Sequence, residues 1–347
     1  MWSKWTPLGI PPSMDSKSIG ATPIPQDGRF SLRSCPCCGS NERCRVFDLP
    51  LDAFCGVNWS YASDYADVLA LAGDARFPIA RCSTCGFLYA ELEPTAAFLT
   101  RLYDRVVRHD SNHQAAEGRA SVARRMAYVG LLLELAPPDR ALTALDFGCG
   151  LGTTLRLLVA AGITAIGYDA STARRSHVEH GGLRIAATRE EVIANGPFDI
   201  VVCDNVLEHM PNPTDTIELL ASVTAEEGLL YLSVPDCDDT FIQTQLRLSG
   251  NGQPIDMSLN PLEHLNYFDL AHLDRLLSEG GFLPVAGTDL PGQANIGLRP
   301  DPSLRKRLNN SVASTFRLAR YALTGQTVRT VTHGFYRRSR SSQTCAR

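Results

Sequence analysis

Asp146-Phe147-Gly148-Cys149-Gly150-Leu151-Gly152 is the stretch around which this chain is organised. Ahead of it, Ala141 to Leu145 is apolar and short, as a buried strand is. Behind it, Thr153 to Ala161 has helical spacing, with Leu155, Leu158 and Val159 expected on one face. A strand, a glycine-rich turn and a helix N-terminus together form a nucleotide-type site, because glycines let backbone approach a ligand that a side chain would block. Alone, G-x-G-x-G is often just a tight turn. Its context strengthens it: the next apolar run, Ile163 to Tyr168, ends in Asp169, where an acid can accept hydrogen bonds from both ribose hydroxyls.

Two features set the stretch apart from a dinucleotide site. The glycine spacing is G-C-G-L-G rather than G-x-G-x-x-G, and Asp146 sits at the strand end just before it. A carboxylate there opposes a pyrophosphate but suits a ligand carrying an ammonium and a sulfonium. The stretch resembles motif I of the class I S-adenosylmethionine (SAM)-dependent methyltransferases. Phe198-Asp199-Ile200-Val201-Val202-Cys203-Asp204-Asn205-Val206-Leu207-Glu208-His209 resembles that family's fourth strand, with its V-L-E-H ending. The resemblance runs from about residue 118 to 299. It implies SAM as cofactor, held by Asp146, Gly148, Cys149, Gly150 and Gly152, by Asp169 and Ala170 at the ribose end, and by Asp204 and Asn205.

The surrounding pattern agrees. Apolar runs at 141–145, 163–168, 183–186, 199–203, 229–234, 283–288 and 294–298 are expected strands, with helices at 153–161, 171–180, 189–194, 213–223 and 269–280. This predicts an α/β fold with a doubly wound, seven-stranded, mostly parallel sheet, Rossmann-like as in the class I methyltransferases. Asp289 to Gly292 is too short for a helical crossover, so the last two strands are expected as an antiparallel hairpin. Ahead of the core, Ser121 to Leu135 is an expected helix with Val122, Met126, Val129 and Leu133 on one stripe, stopped by Pro137-Pro138. An earlier helix is expected to begin at Pro94-Thr95, with Thr95 as its cap.

The N-terminal third carries Cys35-Pro36-Cys37-Cys38-Gly39 and Cys82-Ser83-Thr84-Cys85-Gly86. Each is C-x-x-C-G, and the glycine permits the tight turn that points two thiolates at one metal. The two pairs predict a structural Zn2+ site of Cys35, Cys38, Cys82 and Cys85 in a small zinc-binding module, the long gap between them holding an inserted segment. Cys37 is an alternative to Cys35 as ligand, and Cys44 and Cys55 are assigned to packing. Eleven cysteines, an odd number, several of them in expected strands, indicate reduced thiols and a cytoplasmic chain. The expected organisation is a leader at 1–29, the zinc-binding module at 30–93, a helical lid at 94–140, the SAM-binding core at 141–299 and a basic tail at 300–347.

Between the fifth strand and its helix, Asp236 to Phe268 would lie at the carboxyl edge of the sheet, where substrates sit. It ends Glu263-His264-Leu265-Asn266-Tyr267-Phe268. E-H-x-x-Y-F is similar to the zinc-containing sugar C-methyltransferases, whose Glu-His pair lies at the reaction centre and which share the paired C-x-x-C-G module. A carbon or hydroxyl acceptor must lose a proton, and a histidine suits that task. His264 is the expected general base, with Glu263 orienting it or contacting substrate, and His209 comes second. Tyr103 and Tyr267 are expected to line the pocket. His109 and His113, spaced for one helix face, are read as surface or lid residues because no third ligand is near.

From Gly292 onward there are eleven Lys and Arg against one acid, Asp301, in a chain of 347 residues with net charge −4. Leu304, Leu308, Val312 and Phe316 recur at helical spacing opposite Lys306, Arg307, Arg317 and Arg320. Such a helix suits either peripheral contact with an anionic membrane or docking on the acidic body of the chain. No apolar run approaches membrane-spanning length. The function expected is methyl transfer from SAM to a small-molecule or sugar/glycan-type acceptor, at carbon or oxygen. The alternative is an RNA methyltransferase using the zinc module and basic tail. Against it, the fourth strand ends D-N-V-L rather than N-P-P-[YF], and the cysteine segment is not rich in Lys or Arg.

Overall fold

Alternating apolar runs and amphipathic helices build a twisted sheet of seven strands. The computed structural model describes residues 28–50, 76–101, 118–253, 255–285 and 331–339. The expected leader (except residues 28 and 29), His109, His113, Tyr103, Cys55, the 294–298 strand and the 303–323 helix lie outside them.

The main sheet contains β6 (Thr143–Phe147), β7 (Thr164–Tyr168), β8 (Ile185–Ala186), β9 (Phe198–Asp204), β10 (Thr224–Pro235), β12 (Phe282–Pro284) and β13 (Val331–Arg338), in the order β12-β13-β10-β9-β6-β7-β8. The strands from β8 to β10 run parallel, and β13 is antiparallel to both β10 and β12. The antiparallel neighbour of β12 among the described residues is therefore not an adjacent hairpin strand. It arrives from residues 331–338, inside the segment expected to be a basic tail. Tyr336 opposite Pro284 and Leu230, with its ring fully buried, shows why these residues enter the core.

The helices start where the sequence supplies caps. Ser171, Thr188, Asn212 and Asp269 each accept a backbone N–H at the start of α4 (Thr172–His180), α5 (Arg189–Asn195), α6 (Pro213–Val223) and α8 (Leu270–Glu279). A cap of this kind contributes about 1 kcal/mol. The earlier α1 (Ala96–Arg101) begins after Thr95, whose Oγ1 accepts from the Phe98 amide at 3.4 Å. In α3 (Thr153–Ala160), Leu155 and Leu158 are buried, but Val159 is 44% exposed, one position too far round the helix.

Helix α2 (Arg119–Leu135) corrects a second stripe. Met126 is 58% exposed, but Val129 of the expected stripe is buried, and the inward side also carries Tyr128, Leu131 and Leu132. One turn earlier the same side bears Arg124 and Arg125, both directed at Asp204. Two arginines on the inward face hide it from a hydrophobic-periodicity reading. Tyr128 stacks on Tyr231 of β10 with ring centroids 4.0 Å apart, a contact worth about 1 kcal/mol beyond burial.

The N-terminal segment forms a second, antiparallel sheet in the order β11-β4-β3-β2, from β2 (Arg43–Pro50), β3 (Arg76–Cys82), β4 (Leu88–Ala90) and β11 (Asn266–Tyr267). β1 (Phe30–Leu32) pairs with β5 (Leu92–Pro94) alongside. Strand β11 belongs to the long segment after β10, so the cysteine module and the expected substrate loop share a sheet. That segment also contains α7 (Asp239–Gly250), which the sequence reading treated as loop. Cys35, Phe87 and Tyr89 pack in one cluster with Phe147, Leu230, Phe268 and Leu273, so module and core are continuous. Cys44 is exposed rather than packed, on β2, the outer strand of its sheet. No described helix is long and apolar enough to cross a membrane.

Candidate active site

Gly148, Gly150 and Gly152 all have positive φ, 74°, 56° and 77°, which favours glycine over any L side chain. Their surroundings differ. A Cβ on Gly148 would lie 2.3 Å from the Val206 side chain, whereas one on Gly150 would meet nothing within 4 Å. Gly148 is thus a close-packing position, and Gly150 opens onto space that can receive a ligand. The amides of Gly148 and Cys149 turn back to the Tyr168 carbonyl at 2.7 and 2.9 Å, tying the turn to β7. Cys149 is buried, its sulfur beside Gly167.

Three carboxylates stand at this edge. Asp169, at the end of β7, accepts from Gly150 N at 3.0 Å and Ser171 N at 2.8 Å, with Arg174 3.6 Å away. The Ala170 carbonyl accepts from Arg175 at 2.8 Å. Asp204, at the end of β9, is gripped by a two-pronged Arg124 contact at 3.1 and 2.9 Å and accepts from Ser233 and Asn205. Burial pushes its carboxyl up, yet Arg124 and its other donors hold it below the usual carboxylate range. Asp146 is 3% exposed, and its Oδ2 makes no hydrogen bond. Burial, and next the negative Asp204, push its carboxyl up to about 7. A buried carboxylate oxygen without a donor beside an open glycine turn fits the cationic end of SAM.

The histidines come together one turn further along. After Asn205, which adopts φ 56°, residues Leu207–His209 form a 3-10 turn. The Leu265 amide donates to the Glu208 carbonyl at 2.8 Å, and Asn266 Nδ2 donates to the Leu207 and Met210 carbonyls at 3.1 and 2.7 Å. These bonds fasten the loop of His264 to that of His209, and the two rings stand edge to face with centroids 4.7 Å apart. Glu263 reaches this pair differently from the sequence expectation: its backbone carbonyl meets His209 Nδ1 at 2.8 Å, while His264 Nδ1 is anchored by the Ser258 carbonyl at 3.0 Å. Tyr267 is buried, its hydroxyl donating to the Leu259 carbonyl.

The cysteine pairs interleave. Cys35 Sγ lies 3.6 Å from Cys85 Sγ and Cys38 Sγ lies 3.5 Å from Cys82 Sγ, and all four sulfurs fall within 4.8 Å of one another. A tetrahedral site with zinc–sulfur bonds of about 2.3 Å has sulfur–sulfur edges of about 3.8 Å, so the four residues can hold such an ion. Cys37 is not in the cluster. Two residues before the first cysteine, buried Arg33 donates to the Pro211 carbonyl at 2.8 Å, Asn266 Oδ1 at 2.9 Å and the Leu265 carbonyl at 3.3 Å. The module thereby holds both histidine loops.

A family model described as a methyltransferase domain matches residues 119–286. This part of the chain is a methyltransferase domain. Its sheet, Rossmann-like and mostly parallel, is that of the class I SAM-dependent methyltransferases. The domain is similar to the ubiquinone biosynthesis O-methyltransferase of Actinobacillus pleuropneumoniae serotype 5b (strain L20), 29% identical over 152 residues, which cover 37% of this chain and 64% of that protein. The enzyme of the same name from Aromatoleum aromaticum (strain DSM 19018 / LMG 30748 / EbN1) is 35% identical over 98 residues, covering 26% of this chain and 42% of that protein. The chain therefore spans less than two thirds of these curated relatives. Among solved structures, the Burkholderia thailandensis 1,6-didemethyltoxoflavin-N1-methyltransferase is 17% identical with a TM-score of 0.45, covering 77% of this chain and 98% of that one.

Arg33, Arg124, Ser258 and Glu208 were not picked out from the sequence. Arg33 and Arg124 act across long sequence separations, and Ser258 contributes only a carbonyl. Glu208 did leave a signal, since Leu207-Glu208-His209 and Leu262-Glu263-His264 are the same tripeptide twice in the methyltransferase domain.

Proposed function

We propose that the chain transfers a methyl group from SAM to oxygen or carbon of a small-molecule or sugar/glycan-type acceptor, with the acceptor's proton received at His264. One observation carries the reading. Val206 occupies the place a Gly148 side chain would take, so the turn bearing Glu208 and His209 packs directly on the glycine turn. The cofactor cradle and the histidine pair are thereby neighbours. Relatives named as O-methyltransferases favour oxygen as the acceptor atom. The twin C-x-x-C-G pairs and the E-H-x-x-Y-F segment support a sugar-type acceptor.

Bound SAM supplies an electrophilic methyl on a sulfonium. Asp146 balances the cofactor's positive charge, Asp169 receives the ribose, and the open Gly150 backbone admits it. Holding acceptor and methyl about 3 Å apart and in line supplies much of the acceleration in such a displacement. With Nδ1 donating to the Ser258 carbonyl, His264 keeps its lone pair on Nε2, ready to take the acceptor's proton.

The test is a mass-shift screen of phenolic, sugar and glycan acceptors with purified chain and SAM. His264→Ala should lower turnover on the order of 100-fold with SAM affinity retained, and Asp169→Ala should weaken SAM in calorimetry. Unchanged SAM affinity in the second variant would remove the cofactor assignment. Turnover within a few-fold of wild type in the first would remove His264 as the base.

A further inference from the structure

Besides the four cysteines, one other group of ligand-type side chains converges among the described residues. One ring nitrogen each of His209 and His264 and one carboxylate oxygen of Glu208 lie within 4.8 Å of one another. From this geometry we infer that Glu208, His209 and His264 bind a divalent first-row transition-metal cation at the acceptor side of the domain.

The tautomers carry the argument. Each Nδ1 faces a backbone carbonyl, Glu263 O at 2.8 Å for His209 and Ser258 O at 3.0 Å for His264. A carbonyl only accepts, so each Nδ1 bears a hydrogen, and in the neutral ring each Nε2 bears the lone pair. Anchoring the far nitrogen on a carbonyl is how a metal-ligating histidine is oriented. His209 Nε2 lies 3.9 Å from Glu208 Oε1. Glu208 is 1% exposed and His264 8% exposed, so three electron-rich donors converge where water offers little screening. A cation relieves that repulsion for all three donors at once.

The supporting bonds make the site rigid. The Leu265 amide on the Glu208 carbonyl, Asn266 on Leu207 and Met210, and Arg33 across both loops fix the separation of the donors. Two imidazoles and one carboxylate suit zinc, manganese or iron rather than calcium, and three protein ligands leave coordination positions open. The four-cysteine group is closed by contrast. The role of the cation rests on the methyltransferase reading and replaces the general base in it: with Nε2 on the cation, His264 holds the metal instead of taking the acceptor's proton. An acceptor hydroxyl drawn to the cation releases its proton to solvent. Its oxygen then forms the new C–O bond as the S–C bond of SAM breaks, giving a methyl ether and the neutral thioether.

The experiment is metal analysis of the purified full chain followed by Mn2+ titration, read by loss of the free Mn2+ paramagnetic resonance signal. Manganese favours nitrogen and oxygen donors over thiolates, which separates this site from the cysteines. Co-purified metal beyond the four-cysteine complement, plus tightly bound Mn2+, should total about one per chain, and His209→Ala, His264→Gln and Glu208→Gln should each weaken binding on the order of 100-fold. SAM affinity and melting temperature serve as the fold control for each variant. A total near zero in the wild-type chain, or equal binding in folded variants, overturns the site. If His264→Ala still loses turnover in that case, the base reading stands without the cation. If the metal binds as described and no acceptor is methylated, the site stands and the function falls.

Discussion

Asp146 is the residue on which the proposed cofactor contact and stability meet. In the unfolded chain its carboxyl titrates near 3.9, whereas burial and then Asp204 raise it to about 7 in the folded protein. A raised carboxyl contributes stability that is fully present below the unfolded value and is lost as pH rises through about 7. The loss is on the order of a few kcal/mol. Asp146→Asn should therefore melt at a progressively higher temperature than wild type, without cofactor, between about pH 5 and pH 8. Adding SAM at the upper pH should stabilise wild type more than the variant, since only wild type then presents a carboxylate to the cation. Parallel melting curves across this range would show that Asp146 is already compensated.

At the scale of elements, β11 and the cysteine turns act on the site through Arg33. Its guanidinium joins the cysteine module to the Pro211 and Leu265 carbonyls and to Asn266. Arg33→Met keeps the length of the side chain and removes all three bonds, so turnover should drop roughly tenfold while SAM affinity is unchanged. Equal turnover would show that the module does not position the histidines. Zinc at the four cysteines should appear as about one ion per chain in metal analysis, and Cys82→Ser should lose it together with thermal stability. A disulfide within either C-x-x-C pair would refute the site, and the sulfur contacts of 3.5 and 3.6 Å run between the pairs instead.

For the whole molecule, β13 changes what the basic segment is. Residues 331–338 occupy the sheet position between β10 and β12, so 286–330 joins two strands of the core rather than trailing from it. Truncation near Pro300 would remove a strand whose Phe335 and Tyr336 are buried, and it should unfold the domain rather than report on a tail. Charge is the cleaner variable. Replacing Arg305, Lys306, Arg307, Arg317 and Arg320 by Ser should abolish co-sedimentation with anionic liposomes if this segment meets a membrane, at roughly 1 kcal/mol per basic residue. Equal, negligible binding by wild type and variant would assign the segment to the protein's own surface and make a lipid-linked acceptor untenable.

The sequence by itself determined what depends on local order. A strand, a positive-φ glycine turn and a helix N-terminus are contiguous, so Asp146 to Gly152 and Asp169 were legible, as were five parallel strands and their capped helices. The two C-x-x-C-G turns were legible for the same reason, because each glycine turn is complete within five residues. Tertiary structure decided what depends on distant partners. The inward face of α2 was legible only in part, at Val129, because Arg124 turns inward only when Asp204, 80 residues away, receives it. The strand beside β12 could not be assigned, since an antiparallel neighbour is chosen by burial of Tyr336 and not by proximity in sequence. His209 and His264 were each named, but only the Leu265 and Asn266 bonds to the Leu207–Met210 turn bring them together with Glu208. Chain order dictates turns and caps; long-range packing and hydrogen bonding dictate which of their side chains meet.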